Sequence, residues 1–254
     1  MVGGRLGKKK IKKFQNKVIV ITGASSGLGL NIAREFIKEN AKVSLCARRI
    51  NKLKKNFSNK KNVFFKKVDV SNEKSIKKFL NSTVKKFGKI DILINNAGMA
   101  KTSKVENIRY ENLKKTFEVN VFAPVIFLRE SLKIMKKKNY GRIINISSGG
   151  SVNCAESFFS YSSSKSALNT LAKTVAKEIK NYNIKINTMS PGPCRTEMFP
   201  KNKLSTSLSI PTVKYLSSIP KNGPSGKFFW FMKKIDIIPD LSHIDWSNPN
   251  YVIK

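Results

Sequence analysis

Between residues 17 and 190, short runs of β-branched and aliphatic residues alternate with longer stretches in which apolar residues recur every three or four positions. The first pattern suits a buried strand and the second an amphipathic helix, so together they predict an α/β domain: a parallel sheet with helices on both faces. Strands are predicted at Lys17–Thr22, Lys42–Ala47, Val63–Val70, Ile90–Ile94, Arg142–Ile146 and Ile184–Met189, with a seventh at Phe228–Met232. Helical spacing covers Leu28–Glu39, Glu73–Phe87, Glu111–Lys138 and Ser160–Tyr182, and Pro124 predicts a bend or a helix start within the third. Prolines from Pro191 onward crowd the last quarter, which reads as loop and short helix. No repeat or low-complexity linker divides the chain. One domain over residues 14–254, preceded by a basic extension at 1–13, is expected.

Composition narrows the chemistry. Hydrophobic residues make up 40% of 254, enough for the core of one large α/β domain, although 50 Lys and Arg against 15 Asp and Glu leave a net charge of +35. Such an excess raises nucleic acid or an anionic membrane as a partner. Only eight of the basic residues are Arg, and the lysines are spread along the chain without interleaved aromatics, so a generally Lys-rich surface with no specific nucleic acid is the reading. The segment Lys8–Lys13 is the best local candidate for an anionic contact.

No apolar run approaches the ~18 residues that a spanning helix needs, and no apolar core follows the basic start, so neither a transmembrane segment nor a secretory signal is expected. Cys46, Cys154 and Cys194 form no C-x-x-C pair, which fits a reducing cytoplasm. His243 is the lone histidine, which excludes His-based metal sites and Ser-His-Asp triads; no metal is expected.

The first predicted strand runs into Thr22-Gly23-Ala24-Ser25-Ser26-Gly27-Leu28-Gly29 and then a helix. Glycines there let a phosphate-bearing ligand approach the backbone, where free N–H groups and the helix N-terminus stabilise a pyrophosphate. A purely structural glycine turn is the alternative. The second strand ends in Cys46-Ala47-Arg48-Arg49, with no acid to bond a ribose 2′-OH but guanidinium groups suited to a 2′-phosphate. NADP(H) is therefore favoured over NAD(H).

These residues, with others further on, resemble the short-chain dehydrogenase/reductase family, from about Phe14 to Met198. Thr22–Gly29 matches its cofactor loop, Asp69-Val70 the pair near the adenine, and Asn95-Asn96-Ala97-Gly98 the segment supporting the central sheet. Asn120, Ser148, Tyr161-Ser-Ser-Ser-Lys165, Pro191-Gly192 and Thr196 follow in the family's order. The resemblance implies a Rossmann-type doubly wound sheet, an NAD(P)-dependent oxidoreductase, and a homodimer or homotetramer.

The chain contains Tyr-x3-Lys twice, at Tyr110–Lys114 and Tyr161–Lys165. Only Tyr161 follows a serine at the family's spacing, 161 − 148 = 13 positions. Tyr110 reads as a helix-surface residue, and Ser147 is the rival of Ser148. Asn120 and Asp69 each have a plain alternative, as a buried polar group at a helix break and as a loop cap.

Reduction of a carbonyl develops negative charge on oxygen, so a donor and a proton route are needed. Tyr161 is the proposed acid. A free phenol has a pKa near ~10, and the Lys165 ammonium, on the same helical face, is expected to lower it. The resemblance further implies that Lys165 bonds the nicotinamide ribose, that Ser148 holds the substrate oxygen, that Asn120 keeps a relay water and that Thr196 contacts the nicotinamide amide.

Substrate choice in this family sits after Pro191-Gly192, where Met198, Phe199, Leu204, Leu208, Ile210 and Leu216 form either an apolar lid or ordinary packing. A ketone, aldehyde or 3-oxoacyl substrate is expected. The altered ending Gly223–Met232 reads as a buried edge strand rather than a binding platform. A nucleotide-regulated binding protein of the same fold, with a basic surface for nucleic acid or anionic membrane, is the alternative function.

Overall fold

The computed structural model describes residues 12–239. Residues 1–11 of the basic extension, with all of its segment Lys8–Lys13 but Lys12 and Lys13, and His243 lie outside the described residues. Eight strands form one sheet: β1 (Val18–Thr22), β2 (Lys42–Ala47), β3 (Val63–Lys67), β4 (Ile92–Asn95), β5 (Gly141–Ile146), β6 (Ile184–Ser190), β7 (Phe228–Trp230) and β8 (Lys233–Ile235). Their spatial order is β3-β2-β1-β4-β5-β6-β7-β8, all parallel except the β7–β8 pair. The chain builds outward from β1 to β2 and β3, then crosses back to lay β4 on the other side of β1, and such a reversal of strand order opens a crevice at the carboxyl ends of the strands.

The strands read as continuous apolar runs because helices cover both faces. Ile19, Ile21, Leu45, Ile94 and Ile144 pack with Ile32 and Phe36 of α1 (Gly27–Lys38) and with Val213 and Leu216 of α8 (Ile210–Ser217). Alternate residues, Val20, Leu93, Ile143 and Ile186, face the other way. They meet Phe79 of α3 (Glu73–Phe87), Phe127 of α5 (Ala123–Lys137) and Ala172 of α7 (Phe159–Glu178).

Three elements differ from expectation. Helix α2 (Ile50–Phe57) lies outside the predicted helices, and its Leu53 and Phe57 are buried against the sheet while its lysines face water. The predicted helix Glu111–Lys138 is divided into α4 (Tyr110–Phe117), a π-helical turn at Glu118–Phe122, and α5. Pro124, at the start of α5, has no N–H to give the carbonyl of Asn120, and the ladder is interrupted there. Finally, the aromatic strand is not an edge. The chain reverses at Phe231 and Met232, both with positive φ (41° and 64°), and β8 covers β7. No described helix is long and apolar enough to cross a membrane.

Candidate functional site

A cleft of about 740 Å³ opens along the carboxyl ends of the strands. Its volume lies within the range common for small-molecule and cofactor sites. Every sequence-predicted site residue except Thr22 and Asn120 lines it.

Those two act from behind the wall. The Thr22 hydroxyl accepts the N–H groups of Asn96 and Ala97 at 3.0 and 2.9 Å, tying β1 to the segment after β4. Asn96 returns its side-chain amide to the Thr22 carbonyl at 2.8 Å. This packing dictates the glycines: a Cβ on Gly29 would lie 2.4 Å from Asn96 Nδ2, and one on Gly23 would lie 2.8 Å from Ala97 Cα. Helix α1 starts at Gly27 with no side-chain cap and no acid in its first turn. Its free N–H groups and positive dipole end suit a phosphate, so the glycine cradle fits a dinucleotide.

At the far end, Arg48 lines the cleft beside Asp69 and Val70. The Asp69 carboxylate accepts the Ser71 hydroxyl at 2.7 Å and the Ser71 N–H at 3.0 Å. Those bonds, aided by the charges of Lys115 and Arg48, hold its carboxyl below the usual range. Asp69 is thus a loop cap and a wall residue at once. Arg49 Nη2 reaches Ser26 Oγ at 2.7 Å and Ser25 Oγ at 3.4 Å.

At the other end stand Ser148, Tyr161 and Lys165. Lys165 is buried in α7 and donates from Nζ to the Ile146 carbonyl at 2.7 Å, with Nζ 5.8 Å from the centre of the Tyr161 ring. Desolvation pulls its ammonium down to about 8. The expected lowering of the Tyr161 phenol does not dominate. Burial pushes it above its ordinary value, opposed by the Ser148 hydroxyl. The phenol therefore stays protonated, as a proton donor requires.

The rival serine is spent elsewhere: the Ser147 hydroxyl has the Lys165 carbonyl at 3.2 Å and Ser151 Oγ at 3.3 Å as acceptors for its one proton. Ser148 Oγ accepts the Gly150 N–H at 3.1 Å. Asn120 sits on the π-helical turn, fully buried. Its Oδ1 accepts the Met99 N–H at 2.9 Å, and its Nδ2 donates to the Met99 carbonyl and to Ser164 Oγ at 2.9 and 3.0 Å. The side chain anchors the segment after Gly98 to α7. Tyr110 of the second Tyr-x3-Lys is 71% exposed and does not line the cleft.

Pro191, Gly192 and Thr196 close the cleft over the glycine loop, with Thr196 against Gly27. Of the apolar residues after Gly192, Met198 and Phe199 line the cleft, whereas Ile210 and Leu216 belong to the core and Leu208 faces solvent. Two of the six therefore meet the cleft. Phe199 meets Tyr161 edge-on at 5.9 Å, and Phe158 packs within 6.2 Å of both.

Among the cleft residues outside the motifs are two aromatic ones, Phe158 and Trp230. Phe158 precedes the first helical residue of its segment and carried no motif. Trp230, in the segment expected to be a buried edge strand and no binding platform, reaches the cleft and lies against Gly149, where an added Cβ would come within 2.6 Å of the indole.

The short chain dehydrogenase family model matches residues 17–206. A 3alpha-hydroxysteroid dehydrogenase of Mediterraneibacter gnavus is 32% identical over 192 residues, covering 73% of this chain and 76% of the relative. An oxidoreductase of Thermotoga maritima is 34% identical over 190 residues, 72% and 74% of the two chains. The crystal structure of a 3-ketoacyl-(acyl-carrier-protein) reductase from Brucella melitensis, complexed with NADH, superposes with a TM-score of 0.81. It covers 85% of this chain and 97% of its own at 24% identity, a likeness of fold. The matched span contains the glycine loop, all but one of the sheet's parallel strands and the Tyr161 helix, and it makes this chain a member of the short-chain dehydrogenase/reductase family of NAD(P)-dependent oxidoreductases.

Proposed function

We propose that the protein is an NADP(H)-dependent reductase of carbonyl compounds, of ketone, aldehyde or 3-oxoacyl type, with Ser148, Tyr161 and Lys165 as its catalytic residues. The carrying observation is the arrangement within one cleft: a buried phenol, a buried ammonium and the Ser148 hydroxyl at one end, and arginines beside a glycine cradle at the other.

Tyr161 gives its phenolic proton to the substrate oxygen as negative charge develops there, and Ser148 donates a second hydrogen bond to the same oxygen. Lys165 steadies the phenolate that remains. Asn120 positions the backbone at Met99 and holds α7 in register through Ser164. When bound, the nicotinamide cofactor supplies the hydride. Gly23, Ser25, Ser26, Gly27, Leu28 and Gly29 would cradle its pyrophosphate, Asp69, Val70, Asn96, Ala97 and Gly98 its adenosine and inner ribose side, and Pro191, Gly192 and Thr196 its nicotinamide side. Arg48, with Arg49, favours a 2′-phosphate over a free hydroxyl.

Phe158, Phe199, Met198 and Trp230 give the substrate end an aromatic and apolar wall, which suits a hydrophobic carbonyl compound. Exposed Phe122, Val125 and Phe159, on the π-helical turn, α5 and α7, support a homo-oligomer through that face. Unpaired Cys46, Cys154 and Cys194 suit a reducing cytoplasm.

The test is a panel of ketones, aldehydes and 3-oxoacyl thioesters assayed with NADPH and with NADH, using the native chain and Tyr161→Phe. Turnover with NADPH that is lost in Tyr161→Phe, with cofactor binding retained, is the expected result. Retained turnover would refute the assignment of Tyr161, and equal rates with NADH would remove the cofactor preference.

A further inference from the structure

The segment that covers the substrate end of the cleft is joined to the adenosine end by one carboxylate. Glu197 Oε2 lies 2.5 Å from Arg49 Nη1, and Glu197 Oε1 lies 2.5 Å from Lys52 Nζ. The other nitrogen of the same guanidinium bonds Ser26 of the glycine loop. Glu197 is the single carboxylate between Glu178 and Asp236 in this strongly basic chain. It is held by two cations that stand at the β2–α2 corner, 148 and 145 positions away in sequence.

The neighbours of Glu197 span the cleft. Thr196 stands over Gly27, where an added Cβ would come within 3.3 Å of its Cγ2, while Phe199 packs on Tyr161 and donates its N–H to Thr196 Oγ1 at 3.2 Å. One tight turn thus couples the acid to the residue that covers the proposed proton donor.

We propose that Glu197 is a latch that occupies the cations meant for the 2′-phosphate of NADP(H), so that the phosphorylated cofactor displaces it and frees the covering segment, while NAD(H) does not. The inference rests on the NADP(H) reading above. A guanidinium fork and an ammonium bind a carboxylate or a phosphate by the same bonds, but a phosphate monoester carries up to about two negative charges against one. The three side chains are about half exposed (49%, 49% and 46%), so an incoming anion can reach them. A 2′-hydroxyl offers no charge to compete with.

The test measures affinities of 2′,5′-ADP and 5′-AMP by calorimetry at about 0.15 M salt, where exposed charges are screened beyond about 8 Å. The proteins are the native chain, Glu197→Gln, and Glu106→Gln as a control for net charge at an exposed site. Loss of the competing ion pairs should tighten 2′,5′-ADP binding about three- to tenfold in Glu197→Gln alone, with 5′-AMP unchanged.

In a second arm, trypsin cleavage after Lys201 and Lys203 should accelerate in the native chain on adding 2′,5′-ADP but not 5′-AMP. A native preference for 2′,5′-ADP with no gain in Glu197→Gln would overturn the latch and leave the NADP(H) reading intact. An equal gain for both nucleotides, or the same gain in Glu106→Gln, would reduce the effect to overall charge and overturn the latch too. If neither the native chain nor Glu197→Gln distinguishes the two nucleotides, the NADP(H) reading fails, and the latch with it.

Discussion

Lys165 Nζ donates to the Ile146 carbonyl at 2.7 Å, so the last residue of β5 sets the position of an ammonium carried by α7. The bond fixes the charge 5.8 Å from the centre of the Tyr161 ring and buries it completely enough to pull its pKa to about 8.

A pH dependence follows from that burial. Lys165 is protonated below about 8 and loses its proton above it, whereas an unburied lysine would keep it to about 10.4. Because the charged form steadies the phenolate, kcat/KM for carbonyl reduction should fall on the alkaline side of about 8. A pH–rate profile of the free enzyme checks it. A profile flat to pH 10 would show that the ammonium is not desolvated.

The two Tyr-x3-Lys elements separate by burial. Lys165→Ala should lower kcat/KM about 10²- to 10⁴-fold and weaken cofactor binding, whereas Lys114→Ala, next to a surface-exposed tyrosine motif, should leave both nearly unchanged. Steady-state kinetics and a thermal-shift titration with NADPH read the two effects.

Neighbouring serines should divide function from stability. Ser148→Ala should cost about 10²- to 10³-fold in kcat with little change in thermal midpoint. Ser147→Ala, which removes the bond to the Lys165 carbonyl, should cost about 1 kcal/mol in stability, read by denaturant unfolding.

Glycine substitutions give a graded test of the cradle. Gly29→Ala drives a methyl into Asn96 Nδ2 and the Gly23 carbonyl, 2.4 and 2.6 Å away, and should abolish cofactor binding with about 2–4 kcal/mol lost. Gly88→Ala meets nothing within 4 Å and carries only the strain of φ +79°, about 1 kcal/mol. Chemical denaturation and NADPH binding distinguish them.

Trp230→Ala should open the substrate end. The indole abuts Gly149, next to Ser148, so its loss removes a wall and loosens the strand-end loop. KM should rise for small carbonyl substrates and change less for bulky ones, with about 1–3 kcal/mol lost in stability. Kinetics with a size series checks it.

The sheet and most of the residues lining the cleft were legible in sequence because their signals are local. A buried parallel strand such as Val18–Thr22 is an unbroken apolar run, and the glycine loop is a contiguous string whose spacing meets one backbone need. Ser148, Tyr161 and Lys165 were singled out by resemblance, because the 13-residue interval between Ser148 and Tyr161 matches the family's. Helix α2 was hidden since its lysines outnumber its buried Leu53 and Phe57.

Local pattern also showed a lone histidine in the whole sequence and two arginines where the second strand ends. Tertiary structure alone decided what each of those groups meets. Burial raised the Tyr161 phenol, against the expectation drawn from its lysine neighbour, because desolvation depends on every element packed around the ring. Asn120 proved a backbone anchor, Trp230 a cleft wall, and Glu197 the partner of Arg49 across 148 positions. Such pairings carry no sequence signal, since a contact between distant segments is set by how the sheet twists and its loops fold over its end, not by any spacing along the chain.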